Sequence, residues 1–165
     1  MNPKAKNYIQ KLELVKHPEG GYYREIYRSA EMFTTDYPGR RKKRSYSTSI
    51  YFLLEGTQVS KFHRLRSDEL WHFYDGSSVI IHMLDEKGSY SKINLGNDLI
   101  KEEKYQVIIS KNTWFAAELF DKKSFALVGC TVSPGFDFSD FEFGKRNKLI
   151  KTFPQNKDLI IRFTK

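Results

Sequence analysis

Apolar and polar positions change period twice along this chain. After Asn2-Pro3, the residues Tyr8, Ile9, Leu12 and Val15 recur at helical offsets, so the spacing predicts a short amphipathic helix over residues 3–16. Asn2 is suited to cap it and Pro3 to open its first turn. His17-Pro18 ends the helix and Gly20-Gly21 turns the chain. From Tyr22 the period drops to two. Tyr23, Glu25 and Tyr27 then share one face of a strand, and Tyr22, Arg24, Ile26 and Arg28 the other. Strand patterns follow at 46–54, 58–65, 69–74, 78–84, 89–93, 105–109, 114–119 and 124–132, separated by turn signals such as Asp75-Gly76, Lys87-Gly88 and Gly96-Asn97. The helical period returns in the tail, over 145–153 and 156–163. The pattern predicts an all-β single domain over 1–165, a jelly roll or related closed barrel with a short leading helix and a helical tail.

Residues 29–44 fit neither period. They are polar and rich in turn formers, which predicts a mobile loop or lid. The run Arg40-Arg41-Lys42-Lys43-Arg44 follows the turn signal Tyr37-Pro38-Gly39, so it is expected as a solvated loop. The formal charge of +8 would suit anionic partners. The remaining basic residues are dispersed, however, and no docking element accompanies the run. Nucleic acid is therefore not an expected partner, and a phosphate site near a ligand pocket is the better use for the run. No leader segment and no membrane-spanning apolar run is visible, which predicts a cytoplasmic protein with no membrane partner. The single cysteine, Cys130, lies in a core-strand pattern and is expected as a buried structural thiol.

Candidate chemistry concentrates between Gly56 and Gly76. On the strand 59–65, Lys61, His63 and Leu65 share one face. On the returning strand, Glu69, Trp71 and Phe73 share one face. If both faces point inward, His63 and Glu69 lie side by side in an aromatic-walled cavity. A carboxylate beside an imidazole fixes its tautomer and raises its basicity, so His63 is the candidate base and Glu69 its orienter. Tyr23 or Tyr51 could serve as the acid. Arg24 and Lys61 could hold an anionic substrate, Trp71, Phe73 and Trp114 could stack on a ring, and Gln106 could add a polar contact.

Four stretches, His17-Pro-Glu-Gly-Gly-Tyr-Tyr-Arg-Glu25, Ser47 to Leu54, Phe62 to His72 and Gly129 to Phe138, resemble the cupin-5 family in the right order. The family is grouped by shape with the deoxysugar-nucleotide epimerases (RmlC-like cupins). The resemblance implies a double-stranded β-helix and a homodimer whose amino-terminal strands contribute to the partner's sheet or pocket. Metal-binding cupins present two His and a Glu from a first motif and a His from a second. Here Leu65 and Phe115 stand at two of the His positions, so no metal or other cofactor is expected. The expected function is binding, with isomerisation or epimerisation, of a small polar or sugar-like metabolite. A non-catalytic ligand-binding or sensor cupin and a weakly metal-dependent cupin enzyme are the alternatives.

Overall fold

The computed structural model describes residues 1–37 and 40–165. Helix α1 (Pro3–Lys11) is capped by the Asn2 side chain, which accepts from the backbone N–H groups of Lys4 at 2.9 Å and Ala5 at 3.4 Å. It stops short of the predicted residue 16. Glu13 adopts a left-handed φ of 51° and the Leu14 N–H returns to the Ile9 carbonyl at 2.9 Å. The chain then leaves as strand β1 (Val15–Lys16).

The strands that follow are β2 (Tyr22–Arg28), β3 (Met32–Tyr37), β4 (Arg40–Ser45), β5 (Thr48–Glu55), β6 (Val59–Leu65), β7 (Asp68–Gly76), β8 (Val79–Leu84), β9 (Tyr90–Leu95), β10 (Gln106–Ile109), β11 (Trp114–Leu119), β12 (Phe125–Ser133) and β13 (Phe141–Phe143). Apart from β3 and β4, which pair only with each other, they build two sheets, in the orders β1-β2-β5-β12-β7-β10 and β13-β6-β11-β8-β9, with every strand pair antiparallel. The all-β jelly-roll expectation stands. Between the sheets lies the main core, which includes Phe52, Trp71, Ile81, Phe115 and Val128.

Both outer faces are covered, and this explains why β11 and the first six residues of β12 are buried at every position. Helix α1 lays Ala5 against Leu53, Phe125 and Leu127 on the first sheet. The tail, helices α2 (Arg146–Thr152) and α3 (Lys157–Arg162), covers the second sheet with Leu149, Phe153, Ile160 and Phe163 against Phe62, Leu84 and Trp114. Under α3 the buried Glu118 pairs with His82 at 3.1 Å, with Lys122 at 2.7 Å and with Arg162. No helix among the described residues is long and apolar enough to cross a membrane.

Residues 29–44 are not the predicted loop. Most of them form the β3–β4 hairpin, with pairs from Met32↔Ser45 to Tyr37↔Arg40. The expected turn at Pro38-Gly39 lies outside the described residues. Consecutive basic side chains read as a solvated stretch, but alternation in a strand sends them to opposite faces, and Lys42 and Arg44 gain polar partners on one of them. Lys42 Nζ reaches Ser139 Oγ at 2.7 Å, and Arg44 Nε reaches Asp140 Oδ2 at 2.6 Å.

Phe163 is fully buried, although it stands near the end of the chain, and its carbonyl accepts from the Phe62 N–H at 2.9 Å. Phe163→Ala should cost about 3–5 kcal/mol in denaturant unfolding. A loss below about 1 kcal/mol would show that the tail helices are not part of the cooperative unit.

Candidate functional site

A cavity of about 270 Å³ opens at one end of the barrel between the two sheets. Its lining includes His17, Glu19, Tyr23, Glu25, Arg28, Phe52, His63, Leu65, Glu69, Cys130, Phe136, Asp137, Phe138 and Phe141. His63 and Glu69 are both in it, as the strand faces predict. The hydrogen-bonded partner of His63 is another residue, however. Its Nε2 lies 3.1 Å from Glu19 Oε2, and its Nδ1 lies 2.7 Å from the Lys61 carbonyl.

The His17-Pro-Glu-Gly-Gly loop delivers Glu19. The loop presses onto β6: the Lys61 N–H donates to the Glu19 carbonyl at 3.1 Å, and Gly20 sits at φ 122° with no room for a side chain. A Cβ at Gly20 would stand 2.1 Å from the Val59 carbonyl oxygen. The carboxyl then accepts from the buried Ser60 hydroxyl at 3.0 Å through Oε1 and faces His63 through Oε2.

Protonation follows from this geometry. A carbonyl only accepts, so His63 carries its proton on Nδ1 and offers a lone pair at Nε2 when neutral. Burial pushes the His63 pKa down to about 3, against the raising effect of the Lys61 carbonyl. Burial, and then the nearby Glu69 charge, push Glu19 well above the usual carboxylate range. The proton therefore rests on Glu19 and is shared with neutral His63. His17 is also buried, with its pKa pushed down to about 4, and its Nδ1 accepts from the Glu19 N–H at 3.3 Å.

Glu69 stands apart. Its Oε2 is buried and has no hydrogen-bond partner among the described residues, and the same holds for the Trp71 indole nitrogen. Burial raises its pKa to about 7, against the lowering influence of Trp71 and Cys130. Both forms of this carboxyl are populated near neutral pH. Cys130 borders the cavity with its thiol pushed well up by burial, so it is protonated and is not a nucleophile.

The other sequence-predicted residues divide by strand parity. Tyr23 lines the cavity, with its ring edge-on to His17 at 4.5 Å. Tyr51 does not; it alternates with Ile50 and Phe52 and packs on the outer side against α1 and Tyr74. Arg24 also faces outward, bonding Glu13 at 2.6 Å and the Leu12 carbonyl at 3.2 Å. Trp71 and Phe73 belong to the core beneath the cavity, Trp114 to the outer cluster where Arg64 stacks on it at 4.6 Å, and Gln106 is exposed on the edge strand β10.

Lys61 and Arg28 exchange places with expectation because of two bulges. On β6, Phe115 pairs with His63 and Ala117 with Ser60, so three steps on β6 match two on β11. Ser60 and His63 thus both point in, and the Lys61 side chain lines a separate groove with Gln58 and Val59. On β2 the register slips between Glu25 and Tyr27, which carries Arg28 onto the cavity face with Tyr23 and Glu25. Glu19 and Arg28 are the residues that strand periodicity misses. The close-packed Gly20-Gly21 pair was the available signal for Glu19, and nothing in the sequence marks either bulge.

The far wall is the aromatic segment Phe136 to Phe141, where the ring centroids of Phe136 and Phe138 lie 5.0 Å apart. The β3–β4 hairpin fastens it. Lys42 and Arg44 both reach Ser139 Oγ at 2.7 Å, and Arg44 also binds Asp140. Leu65 lines the cavity at one of the positions where metal-binding cupins carry His, and at the other Phe115 packs against His63 with the rings tilted and their centroids 4.0 Å apart. Glu19 already occupies His63 Nε2. Among the described residues, no group of three or more His, Cys, Asp or Glu side chains is placed to hold a metal ion.

Comparison with known proteins identifies the family. The chain belongs to the Cupin_5 family, described as Cupin superfamily (DUF985), which it matches over residues 6–144. It is 27% identical over 164 residues to the uncharacterized protein YML079W of Saccharomyces cerevisiae, covering 90% of this chain and 81% of that one. It superposes on protein SO0799 of Shewanella oneidensis with a TM-score of 0.87 at 39% identity, covering 98% of this chain and 97% of the other. A hypothetical protein from Leishmania major gives a TM-score of 0.89 at 31% identity, over 97% and 98% of the two chains. Oxalate decarboxylase from Bacillus subtilis shares the fold alone, with a TM-score of 0.57 at 15% identity over 36% of that chain.

The raised pKa of Glu69 has a signature in stability. The folded state keeps a proton that the unfolded chain releases above 4.5, so this contribution is full below 4.5 and is lost as pH rises through about 7. Glu69→Gln has no such proton to lose. Each tenfold difference in proton affinity between the folded and unfolded chain is about 1.4 kcal/mol, so the stability difference should move in the variant's favour by up to roughly 3 kcal/mol. The change should fall between pH 4.5 and about 7. Urea melts of both proteins across that range test this, and parallel curves would place Glu69 in contact with solvent.

Proposed function

We propose that this cupin binds a small polar, sugar-like metabolite in the barrel cavity and shifts a proton on it, as an isomerase or epimerase does. The carrying observation is Glu69, a carboxyl with a pKa of about 7 that lines the cavity beside the proton-sharing Glu19–His63 pair. A base works best when its pKa lies near the working pH, because it must both take and return the proton. In this reading Glu69, as the carboxylate, removes the proton from the carbon next to a carbonyl. The proton held between Glu19 and His63 moves to the carbonyl oxygen as charge develops there. Glu69 then delivers its proton to the former carbonyl carbon of the enediol, and the neighbouring hydroxyl returns a proton to the Glu19–His63 pair, so the carbonyl has moved by one carbon and the site ends as it began. Tyr23 and the Phe136–Phe141 wall enclose the substrate and exclude water. The binding residues expected from sequence outside the cavity, Arg24, Lys61, Gln106 and Trp114, have no part in this reading, nor does Tyr51.

The reading predicts exchange with solvent. A panel of aldoses, ketoses and amino sugars incubated in deuterium oxide with the protein should include one that gains deuterium next to its carbonyl. Glu69→Gln should lower that rate by about 100-fold or more. A ligand that occupies the cavity and never exchanges would make the protein a binding or sensor cupin.

The same reading takes the molecule to be a homodimer. Strand β1 pairs with β2 only at Tyr22 and Tyr23, so the rest of β2 is an open sheet edge. Ile26, Tyr27 and Met32 near it are about half exposed. Light scattering should give twice the chain mass at micromolar concentration, and Ile26→Lys with Tyr27→Lys should shift it to monomer. A monomeric wild-type protein would count against the pairing.

A further inference from the structure

The lining of the cavity is richer in carboxyl than in basic side chains, although the molecule as a whole is basic. The chain has a formal charge of +8, yet four side chains lining the cavity are carboxylic, Glu19, Glu25, Glu69 and Asp137. Among the described lining residues the one Lys or Arg is Arg28. That guanidinium is engaged: Nε and Nη2 hold the two oxygens of Glu25 at 2.9 and 2.6 Å, and Nη1 donates to the Phe136 carbonyl at 3.1 Å. Asp137 faces Arg44 at 3.7 Å at the mouth. No cation among the described lining residues stands beside Glu69. Its nine-tenths-buried carboxyl ends in an oxygen without a hydrogen-bond partner among the described residues. Aromatic rings supply the rest of the lining, with Tyr23 and Phe52 from the first sheet and Phe136, Phe138 and Phe141 from the other side.

We infer that the cavity selects an organic cation, a protonated amine on a compact body, whose ammonium group lies toward Glu69 and whose body lies against the aromatic rings. Ring faces attract cations, and the attraction is strongest where water is excluded. An anion would meet the ionised form of Glu69, and the lining guanidinium of Arg28 is already paired with Glu25. A neutral ligand would leave the Glu69 oxygen without a charged partner. The inference rests on the cavity being the binding site, and it narrows the substrate class to metabolites that carry a basic nitrogen.

An isosteric trio separates the possibilities: benzylamine, a cation at neutral pH; benzyl alcohol, which is uncharged; and benzoate, an anion. Each is titrated into the wild-type protein at neutral pH and followed by NMR at the Ile50 and Val132 methyls, which line the cavity. Benzylamine should bind tightest, by about tenfold over benzyl alcohol, the factor that roughly 1.4 kcal/mol of cation–π and charge pairing provides. Benzoate should bind weakest. Glu69→Gln should remove the advantage of benzylamine and leave benzyl alcohol unchanged. Glu25→Gln alters a side chain at the mouth with no buried role; it should weaken benzylamine severalfold and strengthen benzoate, because Arg28 is released. Equal binding of benzyl alcohol and benzylamine, or a Glu69→Gln variant that keeps the preference, would overturn the inference while the cavity remains the binding site. Failure of all three probes to perturb the cavity methyls would overturn both.

Discussion

The site depends on one buried contact, Glu19 against His63. Neither side chain has water to support a charge, so each is stable only in the form the other completes: a protonated carboxyl facing an imidazole lone pair. The contact exists because a loop with two successive glycines lies flush on β6, near enough that the Gly20 position excludes a side chain. Ser60 and the Lys61 backbone then fix both ends of the carboxyl's residue. Without Glu19 in this place, His63 would be a buried imidazole held only through its Lys61 bond. With it, the barrel holds a proton in a defined position and leaves Glu69 as the titrating group.

Two β-bulges shape what surrounds that contact. Each inserts one residue and reverses the inside-outside alternation beyond it, so one bulge removes Lys61 from the cavity and the other brings Arg28 in. Their combined effect is electrostatic. The lysine that would have neutralised the buried carboxyls is turned away, and the arginine that arrives comes with Glu25 already attached. A site dominated by carboxyls within a basic protein is the result of two local changes of register.

The basic hairpin has a mechanical relation to the same site. Lys42 and Arg44 hold Ser139 and Asp140, and these anchor the short aromatic segment that closes one side of the cavity. Charge-assisted bonds to a loop that has no sheet partner of its own at residues 134–140 are a way to order it. The charge run therefore serves the pocket from outside, through its wall.

The sequence by itself determined the strand periods, the helical segments at both ends, which residues share a strand face with His63 and with Glu69 outside the bulges, and the absence of two histidines at Leu65 and Phe115. All of these follow from the alternation of side chains across a strand and from local turn chemistry, which act over a few residues. The tertiary structure alone decided the partner of His63, the cavity face of Arg28, the outward turn of Lys61 and the pairing of Met32–Tyr37 with Arg40–Ser45. Glu19 reaches His63 only after a loop from another part of the chain has closed on β6, and no period within either segment records that meeting. A bulge is fixed by what the neighbouring strand must match, as β11 fixes the extra residue of β6. The consecutive charges of residues 40–44 read as solvated until the Ser139–Asp140 loop gives Lys42 and Arg44 something to hold.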